Sequence, residues 1–205
     1  MVHDKREAIL EAAEVLFAAD GFEGTSTRAL AARAGVNLAM LSYYFGSKEG
    51  VFETLIQRRT GKTYEDIQRI DNQSITQWEK LDAVVDLYVD KVLGNGCLHK
   101  IIAREMASSQ RAEIKEAMTA AFLRNSQAII KIIHDGQAQG LFRVVDAPLT
   151  CASLIGTIFQ IINSSAFAEG LTGHPVVIDG VFTDYTKTRL KRYLKDLLRA
   201  QLTAH

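Results

Sequence analysis

The chain has 205 residues, 47% of them apolar and 23% charged, with two prolines and 24 basic residues against 24 acidic ones. That length can bury a substantial core as one or two domains, and the balanced charge gives no bulk attraction to nucleic acid. There is no run of about 18 apolar residues and no basic-start secretory leader, so the expectation is a soluble, cytoplasmic protein with no membrane partner.

Residues 4–20 carry Ile9, Ala13, Leu16 and Phe17 at helical spacing, with Glu7, Glu11 and Glu14 on the other face, which predicts an amphipathic helix. Asp20-Gly21 ends it, and Phe22 returns to the core. Ser26 is a suitable N-cap for a second helix, in which Leu30, Ala31 and Ala34 form a buried stripe. Gly35 follows, where the absence of Cβ allows a left-handed turn, and Val36 plugs the angle. Asn37 caps a third helix running from Leu38 through Ala39, Met40, Leu41, Ser42, Tyr43 and Tyr44 to Phe45. Helix, short Gly-bearing turn and helix over 26–45 is a helix-turn-helix pattern, whose second helix enters the major groove in DNA-binding proteins. Leu41 and Phe45 can face inward, leaving Ala39, Ser42 and Tyr43 on the outer arc. Ser47 caps a further helix with Lys48 in its first turn, a candidate phosphate clamp.

Charge argues the other way. Through residue 48 there are five basic residues (Lys5, Arg6, Arg28, Arg33, Lys48) against six acidic ones (Asp4, Glu7, Glu11, Glu14, Asp20, Glu23). The acids sit on or beside the first helix, whereas Arg28 and Lys48 flank the reading helix, so modest affinity per monomer and a need for two copies are expected.

The stretch GTSTRALAARAGVNLAMLSYYFGSKEGVF resembles the N-terminal domain of the tetracycline-repressor (TetR) family of bacterial regulators. The matching elements are Thr25 or Thr27, Ala34-Gly35-Val36, Ser42-Tyr43-Tyr44-Phe45 and Lys48-Glu49. Ser42 departs from the family, which carries Tyr there. With this resemblance, Thr27, Tyr44 and Lys48 are expected to hold phosphates. Arg28, Leu38, Ala39 and Tyr43 are expected to reach bases, with Asn37 and Ser42 beside them.

Beyond the head, residues 48–69 predict a long helix linking it to the rest through Val51, Phe52 and Leu55, with Arg58, Arg59 and Lys62 as a solvated face. Helices follow over 76–93, 98–107 and 111–139, separated by Gly94-Asn95-Gly96 and Ser108-Ser109-Gln110. Asp146-Ala147-Pro148 opens an almost wholly apolar helix over 148–169, which suggests a subunit interface. A last helix over 178–202 has one apolar side, and its Lys187, Arg189, Lys191, Arg192, Lys195 and Arg199 read as a solvated face. No period-2 run stands out. The expected fold is all-α, with about nine helices: a head over 3–63 and a larger effector-binding and dimerisation domain over 64–205. The resemblance implies the same helix count and a homodimer built through a four-helix bundle of the last two helices of each subunit. Leu154, Ile155, Ile158, Ile162, Phe182, Tyr185 and Tyr193 are the interface candidates.

His3, His99, His134, His174 and His205 form no metal-ligand spacing, and no nucleophile motif or phosphate loop is present. An enzyme, a metal site and a cofactor are therefore not expected. Cys97 and Cys151 read as buried thiols rather than a sensor pair. The family holds a ligand cavity in its larger part. Tyr64, Trp78, Tyr88, Met106, Met118, Phe122 and Phe159 are the candidates to line it, and with no assignable buried charge they favour a small apolar or aromatic effector. The expected function is a dimeric regulator, a repressor released from a palindromic operator by that effector. The alternative is a helical binding or scaffold protein whose helix-turn-helix is only structural.

Overall fold

A computed structural model describes residues 4–94, 101–102, 105 and 112–203. The fold is all-α. Nine helices have described boundaries: α1 Lys5–Gly24, α2 Thr27–Arg33, α3 Leu38–Phe45, α4 Lys48–Asp71, α5 Gln77–Gly94, α6 Ala112–Ala138, α7 Ala147–Asn163, α8 Ser165–Thr172 and α9 Asp184–Leu202. Ile101, Ile102 and Glu105 are also helical. The chain divides into two compact units. One holds the described residues of Met1–Lys62 and Cys97–Phe122, the other those of Thr63–Gly96 and Leu123–His205.

In the first unit Asp4 caps α1 by accepting from the Arg6 N–H at 3.0 Å. Gly21 adopts φ 75°, ψ 174° and breaks the helical path, turning Phe22 inward as the sequence suggests. Phe17, Phe22 and Phe52 form a three-ring cluster with centroids 5.4–5.5 Å apart. Ile9, Leu10, Val51, Leu55, Ile114 and Met118 are buried beside it within this unit. Arg58 is exposed and Arg59 half-buried, and both are paired with acids of α1. Arg58 pairs with Glu7 at 2.6 Å and Arg59 pairs with Glu14, so two carboxylates of α1 are neutralised by α4.

In the second unit a capping box starts α5. The Glu79 carboxylate accepts from the Thr76 N–H at 2.8 Å, and the Glu79 N–H donates to the Thr76 hydroxyl at 3.2 Å. The core gathers Ile67, Leu81, Val85, Ile129, Ile133, Leu154, Leu194 and Leu198. The basic run of α9 is likewise not simply solvated. Lys191, Lys195 and Arg199 pair with Asp90, Asp86 and Asp82 of α5, each at 2.7 Å. Both triplets repeat every fourth residue, so they form an antiparallel ladder that fixes the register of α9 on α5. Such partly exposed pairs are worth about 0.2–1 kcal/mol each; their effect is on alignment more than on stability.

Two expected helices differ. The 148–169 helix breaks at Ser164 (φ −138°, ψ 58°), and α7 and α8 meet at a bend of 101°. The 178–202 helix starts only at Asp184, after an antiparallel hairpin pairing Val177 with Phe182 and Ile178 with Val181. Its turn is Asp179-Gly180, both with positive φ (51° and 79°), the geometry that favours Asp-Gly in two-residue hairpins. Thr183 then caps α9.

Asp71, the last residue of α4, is a half-buried junction. Burial alone would push its carboxyl up, but Lys131 at 2.9 Å and Lys80 at 3.3 Å hold it below the ordinary carboxylate range. A depressed folded pKa contributes stability above the unfolded value and loses it as pH falls through the folded one. Asp71→Asn should therefore cost about 1–3 kcal/mol at neutral pH. In thermal melts the gap to the unmodified chain should shrink as pH drops below about 4.

Candidate nucleic-acid interface

Helices α2 and α3 are each set by a side-chain cap. The Ser26 hydroxyl accepts from the Ala29 N–H at 3.1 Å, and Asn37 Oδ1 accepts from the Met40 N–H at 2.9 Å. Between them Gly35 takes φ 65°, and the Val36 N–H returns to the Ala31 carbonyl at 3.0 Å. Leu30, Ala31 and Leu41 are buried and fix the pair against the core, while Met40, Phe45 and Val36 are half-buried. The outer arc of α3 is open: Leu38, Ala39, Ser42, Tyr43 and Tyr44 are exposed, with Tyr43 at 84%. The rings of Tyr43 and Tyr44 meet edge-on at 5.2 Å. Arg28 is exposed, Thr27 half-buried, and among the described residues no carboxylate pairs with Arg28.

The exit from α3 is tight. Gly46 (φ 74°) ends the helix, and the Ser47 hydroxyl accepts from the Gly50 N–H at 3.2 Å. A Cβ on Gly50 would lie 2.0 Å from the Phe45 carbonyl oxygen. This close approach fixes where α3 ends relative to α4, and only glycine permits it.

Lys48 differs from the expected simple clamp. Its ammonium donates to the Phe22 carbonyl at 2.7 Å and the Thr25 carbonyl at 3.0 Å, and lies 4.2 Å from the centre of the Phe22 ring. The cause lies in the chain path. Gly21 breaks the α1 path, and beyond it the Phe22 carbonyl, which accepts from the Thr25 N–H at 3.3 Å, and the Thr25 carbonyl each gain a donor from Lys48. From the other side, the buried Glu105 carboxylate accepts from the Phe22 N–H at 3.1 Å. Both peptide groups of Phe22 are thus held by charged side chains. Nothing in the sequence spacing pointed to Glu105.

The effector candidates are dispersed. Met118 is buried in the first unit and Phe122 is half-buried there; Met106 lies outside the described residues. In the second unit Trp78 meets Phe142 edge-on at 4.6 Å and carries Arg199 over its other side at 5.4 Å, which is a packing role. Tyr64 lies under the Arg124 guanidinium at 4.9 Å, and Phe159 is half-buried. Tyr88 is buried, burial pushes its hydroxyl above the ordinary value, and it hydrogen-bonds to Asn125. The Asn125 side-chain oxygen is buried with no partner among the described residues. Burial pushes the Cys151 thiol up to about 11, so it stays protonated at neutral pH. Cys97, His3, His99 and His205 lie outside the described residues.

The interface candidates divide by burial. Leu154, Ile158 and Phe182 are buried within the single chain, in the core of the second unit. Ile155 and Ile162 are half-buried, while Tyr185 and Tyr193 are about half exposed, at 53% and 55%. The outward stripe of α7 is Leu149, Ala152, Ser153, Gly156 and Gln160.

Two family models match the chain: the bacterial regulatory proteins of the tetR family over residues 9–55, and the tetracyclin repressor-like C-terminal domain over 74–163. "HTH-type transcriptional repressor NicS" of Pseudomonas putida is 32% identical over 162 residues, covering 73% of each chain. "Probable HTH-type transcriptional regulator YttP" of Bacillus subtilis is 30% identical over 146 residues, covering 70% of each. The chain belongs to the TetR family of bacterial regulatory proteins. Its function class is that of a DNA-binding transcription regulator. A TetR-like fold is matched by a transcriptional regulator FadR from Bacillus subtilis in complex with stearoyl-CoA, with a TM-score of 0.76 at 20% identity over 94% of this chain and 96% of that one. The TetR-type head is thus the helix-turn-helix just described, and the family assignment matches its relatives' roles as regulators rather than enzymes. Among the described residues no single helix is long and apolar enough to cross a membrane.

The close approach at Gly50 makes a sharp test. Gly50→Ala should displace the end of α3 and abolish specific DNA binding while leaving the second unit folded, read by anisotropy and circular dichroism. Lys48→Met should lower the melting temperature of the chain even without DNA, since two charge-assisted hydrogen bonds are worth about 1.5–3 kcal/mol each.

Proposed function

We propose that this chain is a repressor that binds a two-fold symmetric operator as a homodimer and leaves it when a small effector binds, acting in the cytoplasm. The reading rests first on the outer arc of α3: an uncharged surface of Leu38, Ala39, Ser42, Tyr43 and Tyr44 beside the unpaired Arg28. Small side chains let a helix approach base edges, tyrosines pack on sugars and reach phosphates, and Arg28 can meet a guanine. Thr27, Tyr44 and the remaining N–H of Lys48 are the phosphate contacts, with Asn37 at the rim.

The dimer is supported by the outward stripe of α7. Ala152, Ser153 and Gly156 are small, and a Cβ on Gly156 would meet nothing within 4 Å in the single chain. A partner helix could therefore come close there, with Leu149, Tyr185 and Tyr193 at its margin. The effector is proposed to enter among the central helices of the larger domain, near Tyr64, Tyr88 and Phe159, with the unpartnered Asn125 oxygen receiving its one hydrogen-bond donor. Release follows if the effector prefers the state in which α4 and the Glu105–Phe22 contact no longer hold the head in its DNA-ready position. A coupling of about 1–3 kcal/mol would weaken operator binding roughly 5- to 150-fold.

Fluorescence anisotropy on DNA from upstream of the protein's own gene tests the reading. Specific binding should fall with salt. Arg28→Ala should relax preference at one base pair by about 1–3 kcal/mol, whereas equal affinity for random DNA of the same length would reject it. Gly156→Trp, which has room in the single chain, should leave the helical content unchanged and shift sedimentation from dimer to monomer.

A further inference from the structure

We infer that Arg6, in the first turn of α1, is a DNA-binding residue that holds a backbone phosphate beside the C-terminal end of α3. The inference rests on the reading of α3 proposed above. It starts from a contact between two helices that do not follow each other in the chain. The Arg6 guanidinium carbon lies over the ring of Phe45, the last residue of α3, 5.5 Å from its centre, within the range of a cation–π contact. Phe45 itself continues a row of rings: Tyr43 meets Tyr44 at 5.2 Å, and Tyr44 meets Phe45 at 6.4 Å. Arg6, Tyr43 and Tyr44 are exposed and Phe45 is half-buried. The side chain of Arg6 thus adds a positive charge to the end of an otherwise uncharged reading surface.

An exposed arginine over a ring is ordinarily surface packing. Here the charge is left unused. The acids next to it in sequence are occupied: Asp4 Oδ1 accepts from the backbone N–H of Arg6 itself at 3.0 Å, and Glu7 pairs with Arg58 at 2.6 Å. Among the described residues the Arg6 guanidinium makes no ion pair and no hydrogen bond. It carries five N–H donors and no acceptor, so an incoming anion can meet it in the forked geometry that phosphate favours. The fold spends other cations of the head on itself. Lys48 commits two N–H groups to backbone carbonyls, and Arg58 and Arg59 are bound to Glu7 and Glu14.

The platform under Arg6 is fixed. Gly46 (φ 74°) ends α3, and the approach of Gly50, whose added Cβ would lie 2.0 Å from the Phe45 carbonyl oxygen, sets the Phe45 backbone against α4. Ser42 is the neighbour of Phe45 one turn earlier on the helix surface, and its short side chain leaves space over the ring. A guanidinium already resting on a fixed ring loses less freedom when it binds than a free one would. A phosphate contact of this kind sets the register of a reading helix on the duplex without reading sequence.

Anisotropy titrations of the full chain on a duplex from upstream of its own gene, repeated between about 50 and 200 mM salt, test the contact. Arg6→Gln should weaken binding and make the fall of log affinity with log salt shallower by about 0.9 for each bound chain. The sequence preferred from a random pool should stay the same, and Arg6→Lys should restore the slope. Arg69→Gln, which breaks the pair with Asp66 at the far end of α4, should leave the slope as it is. A merely structural arginine would instead lower the melting temperature without DNA and leave the slope alone. The contact is overturned by an unchanged slope in Arg6→Gln, by a changed base preference at constant slope, or by failure of Arg6→Lys to restore it. Absence of sequence-specific binding by the unmodified chain would overturn the α3 reading and this contact together, whereas loss of the contact alone leaves specific binding in place.

Discussion

The head depends on how the chain crosses from α1 to α2. Gly21 takes a conformation no helix contains and breaks α1 beside a packed aromatic cluster. Buried backbone groups must find partners, and here they find charged ones: the Lys48 ammonium at the carbonyls of Phe22 and Thr25, the Glu105 carboxylate at the Phe22 N–H. Lys48 is the first residue of α4 and follows α3 by three positions. The same contact that satisfies the α1–α2 link therefore also sets where α4 begins, and the Gly50–Phe45 approach sets where α3 ends. A reading helix of eight residues has little stability of its own. It is held in place by its caps and by this junction.

That junction also gives control a physical handle. Glu105 is distant from Phe22 in sequence, yet it binds the backbone where the head turns. A rearrangement that withdrew Glu105 would remove a hydrogen bond to a charged group, worth about 1.5–3 kcal/mol, similar to the coupling typical of allosteric proteins. The second unit is built on a different principle. Its α5 and α9 are aligned by three antiparallel ion pairs over an apolar core, which take up three of the six basic residues of the α9 run.

Much of this was legible in the sequence because it depends on local rules. Ser26, Asn37 and Ser47 cap the helices they precede, Pro148 stands in the first turn of α7, Gly35 takes the left-handed turn, and Leu41 turns in while Tyr43 turns out. What escaped depends on partners far along the chain. Arg58, Arg59, Lys191, Lys195 and Arg199 look like solvated charge in sequence, because their acids sit on other helices. That Ile158 and Phe182 join the core is not legible, because an apolar residue does not say which apolar surface it meets. The break at Ser164 is marked only by adjacent serines. The Asp179-Gly180 hairpin did carry a readable signal, overridden by the helical pattern beyond it. For the expected effector set, aromatic and Met content could not separate lining from packing: Trp78 is spent on Phe142 and Arg199.

The outer arc of α3, delivered by this junction, is the surface proposed to read DNA sequence. Selection of bound duplexes from a random pool by the unmodified chain puts that reading to the test. Enrichment of a two-fold symmetric motif, with half-sites about 34–36 Å apart or a small multiple of that, is the expected result. A pool that stays random after repeated rounds, despite retained DNA, would contradict it.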